Sequence, residues 1–325
     1  MSTSTLTEQP DTGRSAKKPG LLHGLTWLVL RQHRTTTWII AALVVFGAAT
    51  IVYQRAQMAD MLAGMGWPGK DVSLTSPPRS YTYLTQTIGA LPVVLGVFIG
   101  APLIAGDQEH GTAQLVTTQS VPRRRWLAAK LVWCLSLVLV STAALAALFT
   151  WWWEPYRELL SVDWLSGETF DSTGPVPTAL ALFLTTCGIA IGMLLRRVLP
   201  AMLATFFFAV FVQVAWGEFR DRLATPRLAT YPLNGDAPAF LDHTVETDRW
   251  VGSADGQLYG WGTCAEQTEK ATNACIKEHG IVNNVVEYFG YDQMPGMQWT
   301  GAALLLGATA VLAVFVLWWA SRRPL

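Results

Sequence analysis

Six apolar runs, each of about the 18–25 residues that a membrane helix needs, constrain this chain more than anything else in it. They cover about Thr36–Tyr53, Leu84–Gly106, Trp126–Phe149, Thr178–Leu195, Leu199–Trp216 and Trp299–Ala320. A helix rises about 1.5 Å per residue, so each run matches the ~30 Å hydrocarbon core of a bilayer. Lipid offers no partner to an open backbone group, so helix is the expected form. The bulk composition agrees: 51% of residues are hydrophobic, 15 are Trp, and the mean hydropathy is +0.30. That is too apolar for an ordinary soluble protein.

Charge orients the runs. With the amino terminus inside, 13 of the 23 Lys and Arg but only 4 of the 23 Asp and Glu fall in inner segments. The short inner loops carry Arg123–Arg125 and Arg196–Arg197 beside span ends. Lys and Arg near a span resist translocation, which predicts both termini in the cytoplasm. The expected fold class is an all-α polytopic membrane protein of six transmembrane helices, with a small mixed extracytoplasmic domain between spans five and six.

The expected organisation runs as follows. Residues 1–20 are expected to form a polar, disordered cytoplasmic tail with no signal-peptide pattern. Residues 21–216 hold the transmembrane domain, opening on an amphipathic segment at Leu21–Arg34 that suits the inner interface. Residues 217–298 form the extracytoplasmic domain, and 299–325 hold span six and a cytoplasmic tail. Within 217–298, Asp255-Gly256 between short apolar pieces predicts a hairpin over Arg249–Leu258, and Ala265–His279 reads as a helix stopped by Gly280.

Several features keep two readings. Trp151–Trp153 and Trp318–Trp319 fit an aromatic belt; the first run could also form a binding cage. Gly96-x-x-x-Gly100 and Gly188-x-x-x-Gly192 permit close helix approach, either within the chain or at a dimer seam. Pro92 and Pro102 each remove a backbone donor from span two and should loosen it. Cys134 and Cys187 sit inside spans as packing residues; Cys264 and Cys275 sit in the expected outer domain, where oxidation favours a disulfide. In one unbroken helix those two Cα atoms would stand about 16 Å apart. A disulfide tolerates under about 7 Å. Either Cys264 precedes the helix on a chain that folds back, or no bridge forms.

The polar stretch Asp107–Lys130 lies between spans two and three. Glu109–Gln119 contains no proline and could form about three helical turns before Pro122 breaks the chain. Such a rod could carry motion from a cytoplasmic partner into the membrane; an ordinary loop with topogenic arginines explains the same residues. Glu109 as a helix-start acid would contribute about 0.3–1 kcal/mol. No zinc motif, nucleophile elbow or phosphate-cradling loop occurs, and the five His are scattered. No dense basic face with interleaved aromatics signals nucleic acid. Lys130 is the single Asp, Glu, Lys, Arg or His inside the six runs. Ion-coupled carriers usually bury several, so the energy for transport should arrive from outside the membrane part.

At these residues the chain resembles a known family. Glu109-His110-Gly111-Thr112, Leu115, Pro122, the arginine run from Arg123 and Lys130 are similar to the signature of ABC type-2 exporter permeases. Trp27…Arg31-Gln32-His33-Arg34 and Leu194-Leu195-Arg196-Arg197…Leu199-Pro200-Ala201 resemble a group of these permeases common in actinobacteria. The resemblance covers about Leu22–Val214 and the last span; the long segment 217–298 departs from it. It implies a non-catalytic permease that exports an amphipathic or apolar compound (antibiotic-like, peptide or lipid). It further implies a coupling helix at about 107–120, with Glu109, Gly111, Thr112, Leu115, Pro122 and Arg123 meeting a separate ATPase. Two copies of that ATPase would carry ATP and Mg, with none bound by this chain, and two permeases would form a homodimer in the plasma membrane. The path would run between spans two and five, with Thr85, Gln86, Thr87, Phe207, Phe211 and Gln213 as candidates. The alternative is a membrane-anchored sensing or binding protein that works through its outer domain; a neighbouring ATPase gene or a neighbouring regulator gene separates the two.

Overall fold

In the computed structural model, the described residues are 25–70, 72–111, 122–160 and 162–322. Among these residues six helices are long and apolar enough to cross a membrane: Arg34–Met65, Arg79–Glu109, Arg123–Tyr156, Val176–Leu195, Val198–Arg220 and Tyr291–Arg322. They are called the first to sixth spans below. A short helix, Leu25–Gln32, precedes the first, and a turn at His33 separates the two. Consecutive spans run up and down. One end of the bundle gathers Arg123–Arg125 and Arg196–Arg197; the other carries the insertion between spans five and six.

Several spans outrun their apolar cores. The first continues beyond its apolar run, through Gln54 to Met65, and is closed by Gly66 in the left-handed region at φ 93°. The third starts at Pro122, whose extended backbone serves as its N-cap. The fourth is the centre of the bundle. It is buried along most of its length, whereas the first and fifth are largely exposed on the isolated chain.

Glycine explains that central position. A Cβ on Gly96 would lie 3.0 Å from the Leu184 carbonyl oxygen, and one on Gly100 would lie 2.5 Å from that of Thr185. From the other side, a Cβ on Gly188 or Gly192 would run into the carbonyl oxygens of Gly96 and Ala101. The two small-residue motifs therefore pack against each other, span two on span four, within one chain. Close backbone approach replaces the side-chain interdigitation that these four positions cannot provide.

The insertion is a four-stranded antiparallel sheet of order β1-β4-β2-β3. Its strands are β1 (Arg227–Pro232), β2 (Val245–Ser253), β3 (Leu258–Gly260) and β4 (Ile281–Phe289). The expected hairpin exists: Val251 faces Tyr259 across β2 and β3, and Gly256 makes the turn at φ 87°. The sheet domain has two apolar clusters of its own, one of Ala229, Leu241 and Val286 and one of Val251, Cys264 and Ile281. Val245 and Phe289 belong instead to the core of the transmembrane bundle, together with Trp152, Trp164 and Met294. The sheet is thereby docked on the span ends.

The domain's helix is Glu269–Glu278, starting four residues later than the sequence suggests because Thr268 caps it by accepting from the Ala271 amide. Cys264 thus precedes the helix, and the chain folds back to join Cys275 with Cα atoms 5.6 Å apart. The tryptophan run also differs from expectation. Only Trp151 faces outward, at 47% exposure, with the Arg55 guanidinium 3.7 Å from its ring centroid; Trp152 and Trp153 are core residues. Phe149, Tyr156, Leu160, Trp164 and Leu165 form a wall of apolar surface that claims them.

Candidate functional site

The second span connects the two ends of the molecule, and its helix is irregular. A π turn, Gly96–Gly100, separates the α-helical stretches Arg79–Leu95 and Ala101–Glu109. The Ala101 amide donates to the Gly96 carbonyl, one residue beyond the α-helical acceptor. Pro102 follows immediately and donates nothing. The π turn lies where Gly96 and Gly100 press on the fourth span. Below it, Ala101 and Ala105 pack against Ala201 at the start of the fifth span, all three fully buried.

At the arginine-rich end this lower stretch is tied in two directions. Lys130 of the third span is 1% exposed and is the one fully buried Asp, Glu, Lys or Arg among the described residues. It forms an ion pair with Asp107, lies 3.4 Å from the Leu103 carbonyl and sits 4.7 Å from the centroid of the Trp126 ring. A buried cation of this kind needs such partners, because desolvation otherwise outweighs any gain. His33 stacks on Trp133 at 4.5 Å beside this pair. Burial, with Lys130 nearby, holds its imidazole below the usual range, although Asp107 pulls the other way.

Glu109 is placed differently from expectation. It is the last residue of the second span's helix, not the first of a following one. Its carboxylate accepts from the Val198 amide at 2.8 Å, at the start of the fifth span. The acid does sit at a positive helix end, but the helix belongs to another part of the chain. His110 then bonds back to the Gly106 carbonyl, and Gly111 turns away at φ 70°. Thr112 and Leu115, with the rest of the expected rod up to Val121, lie outside the described residues. On the far side Pro122 and Arg123 open the third span, and Arg124 donates to the Ser321 hydroxyl of the sixth at 2.8 Å.

The candidate path residues separate into three groups. Thr85 is buried and donates to the Tyr81 and Thr82 carbonyls of its own helix. Gln86, Phe207 and Phe211 face outward from the single chain, the two phenylalanines at 67% exposure. Gln213 donates to the Gly89 carbonyl at 3.1 Å and so joins the fifth span to the second. The structure therefore brings Gln213 onto the second span, turns Thr85 into the core, and leaves the others on the open face.

The opposite end is organised by residues 166–174, a segment between the third and fourth spans that the sequence reading passed over. Ser166 caps the short helix Gly167–Phe170. Tyr81 of the second span meets the Thr169 hydroxyl at 2.6 Å. Thr150 of the third accepts from the Gly174 amide at 3.0 Å. The fifth span contributes Trp216, whose indole donates to Asp171 at 2.7 Å, and Arg220, 3.4 Å from the same carboxylate. From the sixth, Gln298 donates to the Phe170 and Thr173 carbonyls and to the Thr173 hydroxyl. Burial raises the Asp171 carboxyl above the usual range, while Trp216 and Arg220 oppose that rise. Four spans thus each send a polar side chain into one buried knot. The sequence signal was weak: isolated Thr, Trp and Gln near span ends have many uses.

Cys264, Cys275 and His279 cluster closely enough to suggest a metal, but the two sulfurs are bonded to each other. Among the described residues no other group of that kind occurs.

A family model described as ABC-2 membrane transporter related matches residues 40–220, more than half of the chain. No curated protein and no solved structure matches it.

Proposed function

Because the chain belongs to the ABC-2 membrane transporter related family, and is therefore a multi-pass membrane permease that works with an ABC ATPase, we propose that it exports an amphipathic or apolar compound through a permease homodimer driven by two ATPase subunits. In this reading both termini and the arginine-rich end face the cytoplasm, the sheet domain faces outward, and the segment that follows Glu109 receives the ATPase. The path lies between spans two and five, where Gln86, Phe207 and Phe211 give a mixed, mainly apolar lining. Cargo of matching character would enter without leaving polar groups unpaired.

The observation that carries this reading is the distribution of charge. Among the described residues, the one fully buried charged side chain is Lys130, and it is already matched by Asp107 at the arginine-rich end. Among these residues, no buried chain of charged groups crosses the bundle for a proton or sodium gradient to drive. Force applied at the arginine-rich end fits such an interior.

The test is co-purification with an ABC ATPase from the same cell, reconstitution in lipid vesicles, and a screen of amphipathic compounds for stimulated ATP hydrolysis and vectorial transport. Deletion of Thr112–Val116 should abolish stimulation while membrane insertion persists. Transport driven by an ion gradient without the ATPase would remove the proposal.

A further inference from the structure

The start of the fifth span has an unusual donor account. A helix leaves its first amides without internal partners, and a nearby Ser, Thr, Asp or Asn usually accepts from one. Here the N-cap position holds Arg197, which has no side-chain acceptor, and no side-chain cap forms locally. Pro200 has no amide to satisfy. The Ala201 amide donates back to the Arg197 carbonyl at 3.2 Å. The Val198 amide donates to Glu109, which lies 89 residues away at the far end of another span. The turn into this helix is also tight. Only Arg196, at a left-handed φ of 57°, and Arg197 separate the fourth span from the fifth.

We infer that Glu109 is a positioning residue that ties the arginine-rich end of the second span to the start of the fifth, so that the two move together when the ATPase acts. The Ala101, Ala105 and Ala201 contact brings the helices close, and Glu109 fixes their register along the axis. The carboxylate suits this role for two reasons: it accepts from a backbone donor that nothing local satisfies, and it carries negative charge at the positive end of a long helix. The π turn at Gly96–Gly100 separates this tied unit from the upper part of the second span, where Gln213 of the fifth donates to the Gly89 carbonyl. The inference rests on the coupling reading above, but it gives Glu109 an acceptor within its own chain rather than on the ATPase.

The test is hydrogen exchange on the complete permease–ATPase complex in lipid, with and without ATP. Glu109→Ala should speed resting exchange of the 198–201 amides about tenfold, as loss of a cap does. It should also erase the ATP-dependent change there while the ATPase still co-purifies. Glu109→Gln, whose amide oxygen still accepts, should restore most of both. Unchanged resting exchange in Glu109→Ala overturns the inference. So does equal failure of the Ala and Gln variants together with loss of the ATPase, which would assign the carboxylate to a cation on that subunit. If ATP alters exchange at 101–111 but not at 198–201 in the unsubstituted complex, the link alone has failed. If ATP alters neither, the coupling reading has failed and the link falls with it.

Discussion

The two ends of the bundle are held together in opposite ways. At the sheet end, four spans place Tyr81, Thr150, Trp216 and Gln298 on one short segment, and the knot is closed over by aromatic side chains. Among the described residues, the ties at the arginine-rich end join spans two by two: Asp107 with Lys130, Glu109 with Val198, and Arg124 with Ser321. A buried network in which every member shares partners resists partial rearrangement. Separate pairwise contacts can shift one at a time. The difference teaches that stiffness in this permease is concentrated at one end, while adjustable contacts lie at the other.

The most direct way to break that contrast is Lys130→Met. It removes the cation that faces the Asp107 carboxylate, and removing one partner of a buried pair typically costs about 3–5 kcal/mol. Thermal unfolding in detergent should show the loss, and Lys130→Met with Asp107→Asn should recover most of it. A negligible effect would show that the pair is solvated and that the arginine-rich end is looser still. Next in size is the disulfide. Cys264→Ser should lower the stability of the sheet domain by about 3 kcal/mol, the usual effect for a loop of this length, as read by protease resistance under oxidising and reducing conditions. Gln298→Leu sharpens the comparison at the knot. It removes the donor from two buried carbonyls and should cost about 1–3 kcal/mol in the same unfolding assay.

The smallest effect concerns Asp171. Its folded carboxyl titrates above the ordinary range because of burial, so the protonated form favours the folded state. The stability it contributes is present below the ordinary aspartate range and is lost as pH rises through the raised value. Asp171→Asn stays neutral, so its melting temperature should gain on that of the unsubstituted protein as pH rises from 4 to 7 (roughly the span around an ordinary carboxyl). Parallel pH profiles would show that Trp216 and Arg220 fully offset the burial.

Much of this architecture was legible in the sequence. Six apolar runs place six spans, and glycine spacing marks the seam between the second and fourth, because a missing side chain has one physical use in a packed helix pair. The hairpin at Asp255-Gly256 and the conditional bridge from Cys264 to Cys275 follow from local turn chemistry and chain reach. The ties that position the candidate site were hidden for a different reason. Asp107 and Lys130 are 23 residues apart, Glu109 and Val198 are 89 apart, and Asp171 and Trp216 are 45 apart. Periodicity speaks for one helix at a time, and it cannot say which acid will reach which distant donor. Glu109 could be recognised as an acid for a helix end; which helix it serves depends on how the spans are arranged. Trp152 and Trp153 misled in the same way, since an aromatic at a span end looks alike whether lipid or protein covers it.

The surplus residue in the second span has one more consequence. A widened turn can travel along a helix when each successive amide exchanges its acceptor for the neighbouring carbonyl. On the Glu109 side the next position is Pro102, which has no hydrogen to hand over. The widened turn thus ends against a residue with no amide bond to lose, and the nine residues Ala101–Glu109 beyond it stay α-helical.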